Sequence, residues 1–218
     1  MADIKPASWD NSSWLEFSTY SNMQGAVGGV DEVGRGALFG PVVAAAVILP
    51  VDALSILMLD NIKDSKKLSS SRRTKLAQKI ATLAVDWRIG YATTKEIDEL
   101  NILQATLLAM KRAVLKLRVK PELFLIDGNQ LVKNLPIPQE TVVKGDERSL
   151  NIAAASIMAK VWRDDLLQRL ALKYSLYDLE KNKGYGSPRH LLALQKYGLS
   201  SLHRRSFRPC QTILDFRF

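Results

Sequence analysis

The chain has 218 residues, 47% of them hydrophobic and 24% charged, ordinary values for one sizeable soluble globular domain. Its formal net charge is +9 and its pI is near 9.7, an excess that points to a polyanionic partner, most often nucleic acid. One cysteine, Cys210, excludes an internal disulfide framework and a cysteine-rich zinc site.

Residues 1–22 carry Asp3, Asp10 and Glu16 and lack a continuous apolar core, so they do not read as an export signal. No segment approaches the roughly 18 uninterrupted apolar residues of a membrane span, and a cytoplasmic protein is expected. The first 24 residues are expected to be an N-terminal extension, ahead of one domain over 25–218. Ala26–Val33 reads as a strand and Pro41–Leu49 ("PVVAAAVIL") as a second, joined by a short glycine-rich link that suits a hairpin. "DSKKLSSSRR" at 64–73 predicts a turn and a helix start with serines available as N-caps, followed by Leu76, Ile80, Leu83 and Ala84 at helical spacing. "DWRIGYATT" suggests a third strand. "KEIDELNILQATLLAMKRAVLKL" then predicts a helix with Ile102, Leu103, Leu107, Met110, Val114 and Leu117 on one face.

After Pro121, "LFLID" is a short buried strand that ends at Asp127-Gly128. "ETVVKGD" reads as a fifth strand ending at Lys144-Gly145-Asp146. A long alanine-rich helix is expected from about Leu150 to Leu172. "KGYGSPRHLLALQKYG" predicts a glycine-rich turn and a helix with Pro188 in its first turn and Gly198 as its stop. "LHRRSFRP" is a basic, aromatic tail. The order predicts an α/β protein with a central mixed five-stranded sheet, flanking helices and a helical C-terminal part.

Three of these strand ends finish in aspartate: "GVDE", "LIDG" and "KGD". Strand-end aspartates are common turn formers and helix caps, and singly each suits that role. Together, Asp31, Glu32, Asp127 and Asp146 would repel one another, and a hard divalent cation with oxygen ligands relieves such a cluster. Mg²⁺ or Mn²⁺ fits, since no histidine–cysteine spacing suits zinc. A divalent-ion site on a basic surface points to phosphodiester hydrolysis, in which two ions activate water and stabilise the leaving oxygen without a histidine base. Neighbouring strand residues point to opposite faces, so Asp31 and Glu32 can share a site only where the strand ends or bends.

The segments "GVDEVGRG", "DSKKL", "IDG", "KGDERSLNIAAASIMAKVWRD", "GYGSPRH" and "HRRSF", in this order from Gly29 to about Arg208, resemble bacterial ribonuclease HII, the type 2 ribonuclease H. The related ribonuclease HIII usually carries an added N-terminal domain and lacks the Gly-Arg-Gly form, so type HII is the better match. The resemblance implies a ribonuclease H-like fold. It also implies endonucleolytic cleavage of the RNA strand of RNA–DNA hybrids, and incision 5′ of single ribonucleotides in duplex DNA, with 3′-hydroxyl and 5′-phosphate products. It assigns the acidic ligands to Asp31, Glu32, Asp127 and Asp146, reading of the ribose junction to Gly34, Arg35 and Gly36, and contact with the following sugar to Tyr185.

Lys66, Lys67, Lys144, Lys160, Arg163, His203, Arg204 and Arg205 are candidate phosphate contacts. Asp164 is a fifth carboxylate that reads as structural beside Arg163, and Ser149 and Ser156 fall near the motifs. A monomer is the default. Two other readings differ in what they predict: a non-enzymatic nucleic-acid-binding module would bind without cleaving, and a glycine-rich nucleotide-binding domain lacks its required lysine motif.

Overall fold

The computed structural model describes residues 14–215, apart from 22, 24, 61 and 63–68. Five strands form one mixed sheet: β1 (Val27–Val33), β2 (Val42–Ile48), β3 (Asp86–Ala92), β4 (Leu123–Asp127) and β5 (Gln139–Val142), in the order β3-β2-β1-β4-β5. β1, β2 and β3 are antiparallel neighbours; β4 and β5 extend the sheet in parallel from β1. The expected hairpin and mixed sheet are therefore present. All seven residues of β2 are buried, because helices cover both faces of the sheet.

Helix α1 (Val51–Leu59), α2 (Ser70–Leu83) and the 24-residue helix α5 (Leu150–Lys173) cover one face, around Ala45, Val47, Leu57, Ile80 and Ala154. Ser69 supplies the expected N-cap of α2, accepting from the Arg72 amide. α1 was not anticipated: its apolar residues run almost unbroken after Pro50 and show no helical stripe.

The opposite face is covered by α3 (Thr94–Leu100) and α4 (Ile102–Leu115), around Val30, Ala44, Ala109 and Phe124. One helix was expected here. Asn101 breaks it at φ 70° and caps α4, its Oδ1 accepting from the Leu103 and Gln104 amides at 3.0 and 3.1 Å. The expected face packs on the core at Ile102, Leu107, Met110, Val114 and Leu117, and it extends over alanines that were not expected. Ala105, Ala109, Met110, Ala113 and Val114 turn inward, while Leu103 is exposed. The alanines join this face because α4 lies directly on Gly90 of β3, where a Cβ would collide with the backbone of Ala109 and Ala113.

The second half of α5 leaves the sheet and anchors a C-terminal lobe of α6 (Leu179–Asn182), α7 (Pro188–Tyr197) and α8 (Arg208–Asp215), packed around Phe39, Leu167, Tyr177 and Leu194. α7 begins at Pro188 behind a Ser187 cap and stops at Gly198, φ 77°. At the other end of the chain, Trp14 is buried in the core beneath α2 and α5.

Candidate active site

The parallel β1–β4 ladder stops at the pair Val30–Ile126, but the antiparallel β1–β2 ladder continues to Val33–Val43. Residues 31–33 are thus held in register on one side and open on the side of β4. With no strand beside them there, the carboxylates of Asp31 and Glu32 both reach the space beyond Asp127 at the tip of β4. One oxygen from each of these three residues lies within 4.8 Å of the others. Strand alternation is overcome by the early end of a neighbouring strand.

The expected fifth strand stops short, at Val142. Lys144 adopts the left-handed conformation, φ 55°, and turns the chain into a short 3₁₀ helix, Gly145–Glu147. Asp146 therefore sits on a helical turn just ahead of α5. The Gly145 amide donates to Asp127 Oδ1 at 2.7 Å, tying this turn to β4. Asp31, Glu32, Asp127 and Asp146 line one cavity of about 340 Å³ with Arg73, Ser156 and Lys160.

Asp31 is 5% exposed, and its carboxyl is pushed well above the usual carboxylate range. Burial is the main cause, followed by the charges of Glu32 and Asp127; a hydrogen bond with Ser156 opposes them. Glu32 is also raised by burial, against the pull of Arg35, whose Nη1 lies 3.2 Å from Glu32 Oε1. Crowded, desolvated oxygen donors of this kind suit a hard divalent cation, which removes the repulsion that raises both groups.

The loop after β1 is fastened from below by two buried arginines. Arg204 donates to the carbonyls of Gly34 (2.7 Å), Arg35 (2.7 Å) and Gly40 (3.0 Å). Arg163 donates to those of Phe39 (3.1 Å), Pro41 (3.1 Å) and Lys183 (2.9 Å). Neither side chain is open to a phosphate, which corrects the expectation for both. Burial, with the neighbouring Arg163 charge, lowers Arg204 to about 9. Gly34 is required at φ 88°, and a Cβ there would strike the Arg163 guanidinium. Gly36 faces open space and Arg35 is half exposed. The Leu38 and Phe39 amides donate to Gly184 O, which sets Tyr185 beside this loop, its ring centroid 5.6 Å from the Arg163 guanidinium.

A family model described as Ribonuclease HII matches residues 28–210. The chain belongs to the ribonuclease HII family. Ribonuclease HII of Trichormus variabilis is 70% identical over 211 residues, covering 96% of this chain and 94% of the relative. That of Trichodesmium erythraeum is 62% identical over 85% of this chain and 88% of the relative. Among solved structures, the ribonuclease H2 from Pyrococcus horikoshii OT3 superposes with a TM-score of 0.77 at 29% identity, over 87% of this chain and 97% of that one. The fold is ribonuclease H-like, and the chain is a metal-dependent endonuclease of the type 2 ribonuclease H class, acting on RNA–DNA hybrids.

The other basic candidates divide by position. Lys160 lines the cavity and donates to Asp164 at 2.7 Å, so Asp164 pairs with Lys160 rather than with Arg163. Lys144 and Arg205 are exposed, and Lys66 and Lys67 lie outside the described residues. Arg73, on α2, enters the cavity and was not singled out in the sequence; its one signal is its place at the end of "DSKKLSSSRR". Among the described residues, no helix is long and apolar enough to cross a membrane.

His203, a candidate phosphate contact by sequence, is 2% exposed and belongs to a buried relay. Its Nδ1 accepts from the Ser200 amide at 2.9 Å, its Nε2 lies 3.0 Å from His190 Nε2, and His190 Nδ1 lies 2.9 Å from Tyr185 O. One proton per ring satisfies the chain: His203 donates to His190, which donates to Tyr185 O. Burial, then the His190 charge, lowers His203 to about 4; burial also lowers His190. A depressed histidine stabilises the fold fully above its unfolded value near 6.5, and this contribution is lost as pH falls towards 4. The melting temperature of the wild type is expected to fall across this window. His203→Gln should flatten that slope in thermal melts, and an unchanged slope would contradict the relay.

Proposed function

We propose that the chain leaves 3′-hydroxyl and 5′-phosphate ends on hybrids, and that it also incises duplex DNA on the 5′ side of a single embedded ribonucleotide with the same ends. Residues 25–218 carry the catalytic and substrate-reading groups, and the chain acts as a monomer. Asp31, Glu32, Asp127 and Asp146 hold the metal, read as two Mn²⁺ or Mg²⁺ ions with substrate bound; when bound, these supply the Lewis acidity for in-line displacement at phosphorus.

The observation that carries the reading is the attachment of the acidic cluster to the Gly34-Arg35-Gly36 loop. Glu32 and Gly34 are two residues apart, and Arg204 fixes the carbonyls of Gly34 and Arg35. Exposed backbone at Gly36 can meet a 2′-hydroxyl, the group that distinguishes RNA from DNA. Arg35, held over Glu32, is free to exchange that partner for a phosphate through charge-assisted bonds. Tyr185 presents a half-exposed ring, braced by Arg163, to the sugar that follows. Lys160 and Lys144 supply positive charge for the backbone.

The product ends test the chemistry. A hybrid cleaved in Mn²⁺ or Mg²⁺ should leave RNA 3′ ends that a polymerase extends directly. Cyclic 2′,3′-phosphate ends would mean that the substrate's own hydroxyl attacks, and would overturn the assignment of hydrolysis to the acidic cluster.

A further inference from the structure

The N-terminal segment Trp14–Ser21 lies before the span matched by the family model, yet it delivers a buried carboxylate into the heart of the molecule. Glu16 is 7% exposed. Its Oε1 accepts from Ser149 Oγ at 2.6 Å, from the Asn151 amide at 3.1 Å and from Asn151 Nδ2 at 3.1 Å; its Oε2 accepts from the Leu150 amide at 3.1 Å. The Leu15 amide donates to Arg148 O at 2.9 Å, so backbone and side chain grip the same place.

That place is the start of α5, immediately after the turn that carries Asp146. Ser149 N donates to Gly145 O at 2.7 Å, and Gly145 N donates to Asp127 Oδ1 at 2.7 Å. Asn151 Oδ1 accepts from Leu49 N at 2.9 Å, which fixes the same helix end to the end of β2. A continuous set of hydrogen bonds thus leads from Glu16 through Ser149 and Gly145 to Asp127, and Asp146 lies on the turn that it spans. Ser156 and Lys160, further along α5, line the cavity on the same rigid rod. A negative charge here also complements the helix N-terminus, and its charge-assisted bonds are the strong kind.

We propose that Glu16 is a positioning residue for the metal centre. It locks the start of α5 so that the Gly145–Glu147 turn holds Asp146 and Asp127 at a fixed separation. This makes the N-terminal segment a working part of the enzyme, and it rests on the reading of the four carboxylates as metal ligands. A residue acting behind the ligands sets metal affinity, commonly by about 10-fold or more when removed. Substrate contacts at Arg35, Gly36 and Tyr185 stay untouched.

The test compares full-length wild type, Glu16→Gln and Ser149→Ala. Glutamine keeps the shape but turns an amide nitrogen towards donors; Ser149→Ala leaves Glu16 in place but removes one of its donors together with the α5 N-cap, which accepts from the Ile152 amide at 3.2 Å. Mn²⁺ binding is followed by electron paramagnetic resonance well below the melting temperature of each protein, alongside metal-free melts and kcat and KM on a hybrid. The expected result is a Mn²⁺ midpoint raised about 10-fold in Glu16→Gln and raised in Ser149→Ala, with KM for the hybrid unchanged and kcat recovered at high Mn²⁺. Lower melting temperatures with unchanged Mn²⁺ midpoints would reduce Glu16 to a helix cap and overturn the inference. Absence of Mn²⁺ binding in the wild type would remove the metal-centre reading and this inference with it.

Discussion

Asp31→Asn is expected to lower hybrid cleavage at least about 1000-fold, the scale of losing a principal electrostatic contribution to the transition state. The same substitution should raise the melting temperature of the metal-free protein. Asp31 is 5% exposed and faces Glu32 and Asp127, so its charge costs stability until a cation is present. Asparagine keeps an oxygen to accept from the Glu32 amide, which donates to Asp31 Oδ1 at 2.6 Å, and leaves the strand undisturbed. Relief of roughly 1–2 kcal/mol corresponds to about 2–8 °C for a chain of this size. Thermal melts with and without Mn²⁺ check both halves: the wild type should gain stability from the ion, and the variant should start higher and gain little. A variant that melts lower without metal would mean that Asp31 is a structural residue.

Arg204→Ala is expected to be among the most damaging substitutions outside the acidic cluster. It strands three carbonyls, those of Gly34, Arg35 and Gly40, in a site where the arginine is fully buried. At about 1–3 kcal/mol for each unsatisfied buried group, a loss of roughly 3–5 kcal/mol follows after local relaxation. Arg204→Lys should recover only part of this, because one ammonium cannot reproduce the planar fork that reaches three acceptors. The damage should also be selective. A freed Gly34-Arg35-Gly36 loop weakens substrate binding, while Asp31, Glu32 and Asp127 keep their strand positions and their Mn²⁺ affinity. Denaturant melts, KM on a hybrid and a Mn²⁺ titration of Arg204→Lys separate these effects. Unchanged stability and KM would show that the carbonyl contacts are incidental.

The strands of this fold are legible in the sequence because their apolar runs end in glycine, proline or aspartate. "LFLID" coincides with β4, and the long helix and the α7 caps fall where their residues put them. Periodicity fell short where packing added to it. Of the face expected for α4, Met110 and Val114 are buried and Ile102, Leu107 and Leu117 pack on the core, but the alanines beside them were not foreseen, because nothing local announces that Gly90 admits a close approach. The break at Asn101 depends on one residue whose side chain replaces the helical amide partners.

The acidic cluster was legible as residue types, and the sharing of one space by Asp31 and Glu32 was not. That sharing depends on where β4 ends beside β1, a matter of sheet register. Arg163 and Arg204 read as phosphate ligands because charge is visible in a sequence and burial is not; their partners are backbone carbonyls, which carry no sequence signature. Glu16 was hidden for a related reason. Ser149, its partner, lies 133 residues away, and a lone glutamate in a motif-poor stretch gives no hint of it.

If the acidic cluster and the Gly34-Arg35-Gly36 loop act as one unit, the enzyme cuts beside the hydroxyl that the loop reads. The most direct measurement maps cleavage of a DNA duplex with one embedded ribonucleotide, in Mn²⁺ and in Mg²⁺, beside the same duplex made entirely of DNA. The expected result is one incision, on the 5′ side of the ribonucleotide, no cut in the all-DNA duplex and no cut by Asp31→Asn. Equal cleavage of both duplexes, or full activity of Asp31→Asn, would contradict it.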